Sequence, residues 1–103
     1  MESNYVSEYC PLWNGQVEYV LEDRTRVDCL TDTHAIEFDW CKKWAEAIGQ
    51  SLYYSKMTGK APAVVLICSP GEERFINRFK LAAPKSENGD LKIKLIEVIK
   101  KPQ

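Results

Sequence analysis

The residues best placed to do chemistry are Asp28, Glu37 and Asp39, followed at helical distance by Lys43 and Gln50. Side chains on a strand alternate faces, so Arg26, Asp28 and Leu30 share one face, and Ala35, Glu37 and Asp39 share one face of the next strand. If Asp32 and Thr33 form a two-residue turn, Asp28 stands opposite Glu37, with opposed side chains about 5 Å apart. All three carboxylates then lie on one surface. A longer turn would shift that register, because Asp-Thr is not among the pairs that favour tight hairpins. Carboxylates that close raise one another's pKa and repel unless a proton or a cation intervenes. A hard, oxygen-seeking cation is the simplest answer: Mg²⁺ takes one or two carboxylates and completes its octahedron with water and phosphate oxygens. Held there, it activates water, stabilises charge at phosphorus and keeps a substrate in line. The bland alternative is a solvated acidic face, which the exposure of most charged residues favours.

The elements that must position these groups read as one α/β domain over residues 1–103. A short helix from Ser3 to about Cys10 is ended by Pro11, since proline disfavours helical geometry in the residue before it. Val17 to Leu21, Arg24 to Leu30 and His34 to Asp39 read as an antiparallel three-strand meander with a polar turn at Glu22-Asp23. From Lys42 to Thr58 the apolar period becomes helical. Trp44, Ala47, Ile48, Ser51, Leu52 and Ser55 make the core stripe, and Gly59 is the stop. Lys43, Glu46, Gln50, Tyr53, Tyr54 and Met57 form a second stripe roughly opposite, which points an ammonium and an amide toward the acids. Ala63 to Cys68 is an uninterrupted apolar run, the pattern of a strand covered on both faces. Ser69-Pro70-Gly71-Glu72 offers an N-cap, a proline at the first helical position and a glutamate three residues after the cap. That predicts a helix through Phe75, Ile76 and Phe79. Asn88-Gly89 is a turn signal before a last, edge strand from Leu91 to Ile99. The order is αβββαβαβ, a mixed central sheet flanked by helices.

With this arrangement the chain resembles the PD-(D/E)xK nuclease superfamily, which includes restriction endonuclease-like, RecB-type and Holliday junction resolvase-like members. The likeness runs from about Val17 to Cys68. Asp28 matches the acid on the first motif strand and Glu37 the acid on the next, while Gln50-Ser51-Leu52-Tyr53 is similar to the Q-x-x-Y helix motif of RecB-type members. The resemblance implies a restriction endonuclease-like core and a metal-dependent DNA endonuclease. It also implies Mg²⁺ or Mn²⁺ bound by Asp28, Glu37 and the Phe38 carbonyl, and Glu8 as a counterpart of the extra acid that some members carry on the first helix. The usual motif lysine is replaced by Asp39, giving Glu37-Phe38-Asp39, similar to the E-x-E variant of some restriction enzymes. Three consequences stay open: Asp39 substitutes for the lysine, Lys43 reaches back from the helix, or the domain no longer cuts and only binds DNA or protein. The resemblance to junction-resolving members makes a homodimer a reasonable expectation, with the edge strand as one interface.

Composition narrows the rest. A formal charge of −1 in 103 residues excludes a generally basic nucleic-acid coat but not a local basic surface. Arg74 and Arg78 are candidates for the phosphate backbone, as are the lysines flanking the main helix. Trp40, Trp44, Tyr53 and Tyr54 are more readily core than stacking platforms, Trp44 above all. His34 stands alone at a turn, without the partner a general base needs. Cys10, Cys29, Cys41 and Cys68 form no CxxC pair, so a zinc site is not expected. The sequence shows no basic-then-apolar leader and no span long enough to cross a bilayer, which makes the cytoplasm the expected compartment. There the thiols should stay reduced and act as small buried hydrophobes.

Overall fold

The computed structural model describes residues 1–102. Its elements are α1 (Glu2–Tyr9), a 3₁₀ turn (Cys10–Trp13), β1 (Gln16–Val20), β2 (Arg26–Leu30), β3 (His34–Trp40), a 3₁₀ turn (Cys41–Lys43), α2 (Trp44–Thr58), β4 (Ala61–Cys68), α3 (Glu73–Ala82) and β5 (Lys94–Ile99). The order αβββαβαβ is as the sequence predicts. The five strands form one mixed sheet in the order β1-β2-β3-β4-β5. β1, β2 and β3 are antiparallel neighbours, and β3, β4 and β5 run parallel. Parallel neighbours need crossover connections, which α2 and α3 supply. Both helices pack on one face, over Val64, Leu66 and Cys68. The first helix covers the other face through Tyr5 and Val6, against Ile36, Phe38, Val65 and Ile67.

The β2–β3 hairpin uses the two-residue turn. The Thr31 amide donates to the His34 carbonyl over 2.9 Å, and Cys29 and Leu30 pair with Ile36 and Ala35. Asp32-Thr33 is a poor hairpin pair on its own. The Thr31 hydroxyl compensates by accepting from the amides of Thr33 and His34 at 3.2 and 2.9 Å.

Several boundaries and surfaces differ from expectation. α3 begins at Glu73, because Ser69-Pro70-Gly71-Glu72 closes first as a turn: Glu72 N–H donates to the Ser69 carbonyl and Gly71 sits at φ 89°. Only the return half of the capping box forms, with the Ser69 amide donating to Glu72 Oε1 at 2.7 Å. On α2 the buried positions are Ala47, Ser51 and Tyr54, whereas Leu52 is 39% exposed. The core stripe is thus rotated from the predicted one, since Tyr54 packs between Val27 and Ala35. Trp44 lies at the rim of its cluster rather than fully inside it.

The largest correction concerns the cysteines. All four are oxidised, Cys10 to Cys29 and Cys41 to Cys68, with Cα separations of 5.7 and 4.8 Å, inside the span a disulfide bridges. Neighbours in space but 19 and 27 residues apart in sequence, they carry no signature that spacing alone reveals. The expectation of reduced thiols fails. No helix among the described residues is long and apolar enough to cross a membrane.

Candidate active site

A cleft of about 350 Å³ opens where β2 and β3 part, and its lining includes Asp28, Glu37, Phe38, Asp39, Lys43 and Gln50. Strand parity and the hairpin register bring the three acids there, the 3₁₀ turn after β3 adds Lys43, and the middle of α2 adds Gln50. The ladder between β2 and β3 is short. Beyond Cys29 and Ile36 the Asp28 carboxylate takes over the role of a main-chain acceptor, receiving the Phe38 amide at 2.8 Å. A residue's N–H and C=O project to the same side of a strand, so the Phe38 carbonyl is also directed toward β2, beside Asp28.

The acids do not form the expected trio. Asp28 and Glu37 lie within hydrogen-bond reach of each other, a contact that needs one proton between them. Asp39, two residues along β3, is displaced by about 7 Å and pairs instead with Glu2 of α1, while accepting the Trp40 amide at 3.0 Å. Two carboxyl pairs therefore share the cleft. Among the described residues no three His, Cys, Asp or Glu side chains converge as a ready-made metal cage.

Burial sets the electrostatics. Glu37 is 7% exposed, and its carboxyl is pushed up to about 10, first by desolvation and then by Asp28, with Asp39 adding to it. Asp28 is raised for the same first reason, against the stabilising Phe38 amide. Asp39 is raised to about 7 by burial and by Glu2, with the Lys43 ammonium pulling it back. Glu37 Oε1 is buried and has no hydrogen-bond partner. A buried oxygen of this kind costs stability unless something binds it. The donor set of Asp28, Glu37 and the Phe38 carbonyl suits Mg²⁺, which needs only one or two carboxylates from the protein.

Other expected residues lie elsewhere. Glu8 pairs with Lys101 and is absent from the cleft lining. The Tyr53 hydroxyl donates to Asp23, outside the cleft. Arg74 and Arg78 sit over the Phe75 ring on α3, and Arg74 also donates to the Gly71 carbonyl at 3.0 Å. His34 bonds to the Thr33 hydroxyl through Nδ1, away from the acids. Sequence reasoning missed Glu2, Ser3 and Ser7 of α1 and Glu18 of β1, all of which line the cleft, and it placed Glu46 on the stripe facing the acids without giving it a role. Glu18 stands across from Asp28 because Leu21 bonds to Thr25 around a three-residue turn, whereas the expected turn at Glu22-Asp23 would set Val17 there. Glu18 adopts φ 52°, a conformation uncommon for a residue with a side chain.

No protein-family model, curated protein or solved structure matches this chain.

Proposed function

We propose that the chain is a metal-dependent DNA endonuclease that hydrolyses phosphodiester bonds, with Mg²⁺ or Mn²⁺ held by Asp28, Glu37 and the Phe38 carbonyl. The observation that carries this reading is Glu37 Oε1, a buried carboxylate oxygen without a partner at the floor of an open cleft. The strand placement of Asp28 and Glu37 and the order αβββαβαβ support the PD-(D/E)xK resemblance and a restriction endonuclease-like core. When bound, the cation supplies Lewis-acid activation of water and neutralises charge on the phosphate.

The protein's own groups divide the remaining work. Asp28 and Glu37 bind as carboxylates, so the proton they share must leave first. Asp39, with its pKa raised to about 7, is poised to take a proton from the attacking water near neutral pH. Lys43 lies close enough to Asp39 to influence it and lines the same cleft. Its ammonium offsets phosphate charge, and Gln50 orients it or the phosphate. This assigns the missing in-strand lysine to Lys43. Two disulfides favour an oxidising compartment over the cytoplasm. A homodimer through the β5 edge remains part of the proposal.

The test is purified protein with supercoiled, linear, single-stranded and branched DNA, in Mg²⁺ or Mn²⁺, beside Glu37→Gln. Cation-dependent cleavage lost in the variant is the expected result. Absence of both cleavage and calorimetric cation binding would leave the non-catalytic binding module, which the replacement of lysine by Asp39 also accommodates.

A further inference from the structure

The acid cleft repels a polyanion, so a nucleic-acid strand must be held by cations outside it. We propose that the strand runs along the carboxyl-terminal edge of the parallel strands next to the cleft. There Lys42 and Lys100 hold its phosphates, and an unpaired base lies against Trp40. The proposal rests on the nuclease reading and identifies its substrate track.

β3, β4 and β5 end side by side, with Trp40 paired to Ile67 and Cys68 to Ile99. Open α/β sheets bind ligands outside the carboxyl ends of their strands. Two hollows occupy this edge, of about 300 and about 160 Å³, and both are lined by Trp40 and Lys100. Met1 lines the larger hollow and also the acid cleft, so the surfaces are continuous. Trp40 directly follows Asp39 but projects to the other face of β3, so the cleft and the hollow meet around the strand's end, at Met1.

The cations are positioned and uncommitted. Lys100 is anchored by its amide, which donates to the Cys68 carbonyl at 2.8 Å, and its ammonium lies 5.1 Å from the Trp40 ring centroid. Lys42 is exposed in the 3₁₀ turn that the Cys41–Cys68 disulfide pins to the end of β4. Among the described residues neither lysine forms an ion pair, whereas Lys101 is tied to Glu8. The one acid in these hollows, Glu72, is engaged by the Ser69 amide. Lysines beside an aromatic ring are the elements from which single-strand tracks are built.

The test reads binding without catalysis: fluorescence anisotropy of a fluorescein-labelled thymidine 15-mer in EDTA, across a salt series, with a duplex of equal length alongside. The expected result is tighter binding of the single strand. Lys42→Ala/Lys100→Ala should weaken it about tenfold or more and flatten the slope of log affinity against log salt by about 1.4, two phosphate contacts at about 0.7 each. Trp40→Phe should weaken binding several-fold. Unchanged affinity and slope in the double-lysine variant overturn the track. So does a parent protein that ignores the oligonucleotide but binds anionic vesicles. A parent that cuts DNA while indifferent to both lysines rejects the track and leaves the nuclease standing. A protein that binds along the track but never cuts does the reverse.

Discussion

β3 and β4 run side by side in parallel register, yet they use the same buried positions in opposite ways. On the face covered by α2, β4 carries Val64 and Leu66, both fully buried. Their partners on β3 are Glu37 and Asp39, which are 7% and 5% exposed. A strand selected only for stability would look like β4, because apolar burial is favourable and an ionised carboxylate in the same place is not. The contrast teaches that β4 is the scaffold, whereas β3 gives up stability to keep titratable oxygens at the cleft.

The largest effect should come from breaking the scaffold side. Leu66→Ala is expected to lose about 3 kcal/mol, the usual cost of emptying a closed core site; urea unfolding measures it, and a loss below about 1 kcal/mol would mean β4 is not the support described here. Removing the Cys10–Cys29 bridge as a double alanine variant should cost a similar amount, about 3 kcal/mol from loop closure over 19 residues. Thermal unfolding with and without reductant checks that value.

The functional strand should respond with the opposite sign. Glu37→Gln is expected to raise stability by about 1 to 2 kcal/mol at pH 8 without cation, because the amide keeps a neutral hydrogen-bonding group there without the proton uptake that Glu37 needs on folding. On the proposed cation site, Mg²⁺ should raise the melting temperature of the parent and not that of the variant. A destabilised Glu37→Gln protein would show that the carboxylate is structural after all.

The pH dependence sharpens the same comparison. Glu37 rises from an ordinary value of 4.5 to about 10 and Asp39 from 3.8 to about 7, so the folded state holds protons that the unfolded chain releases. Their stabilisation is full below the ordinary values and is lost as pH climbs through the folded ones. Melting temperature without cation should therefore fall between pH 5 and pH 8, and Glu37→Gln should flatten that fall. The smallest effect is expected at Arg74→Ala/Arg78→Ala, within about 0.5 kcal/mol of the parent per site and without change in oligonucleotide affinity.

Much of this was legible in the sequence, and the gaps have physical causes. The alternation in β3 and the continuous apolar run of β4 are local patterns, and they gave the order of elements, the hairpin register and the meeting of Asp28 with Glu37. Tyr54 was assigned to the wrong stripe because a period of 3.6 fixes a helix's stripes but not how it is rolled onto a sheet. The partnership of Asp39 with Glu2 depends on how α1 returns across the sheet, which no local pattern encodes. The same holds for the disulfides, whose halves meet only after the strands have paired.

Gly15 marks how firmly one of those bridges is seated. A Cβ there would stand 2.4 Å from Cys29 Sγ and 2.6 Å from Cys10 Sγ, so the backbone lies flush against the sulfurs. The bridge joins the end of α1 to the residue after Asp28, and α1 is a rigid rod of only about 12 Å that carries Glu2 at its far end. The two walls of the cleft are thus cross-braced, which makes it a slot of set width instead of a jaw. A slot sorts what enters by girth: it admits a slender chain as readily as its width allows, and it cannot close down on anything thinner.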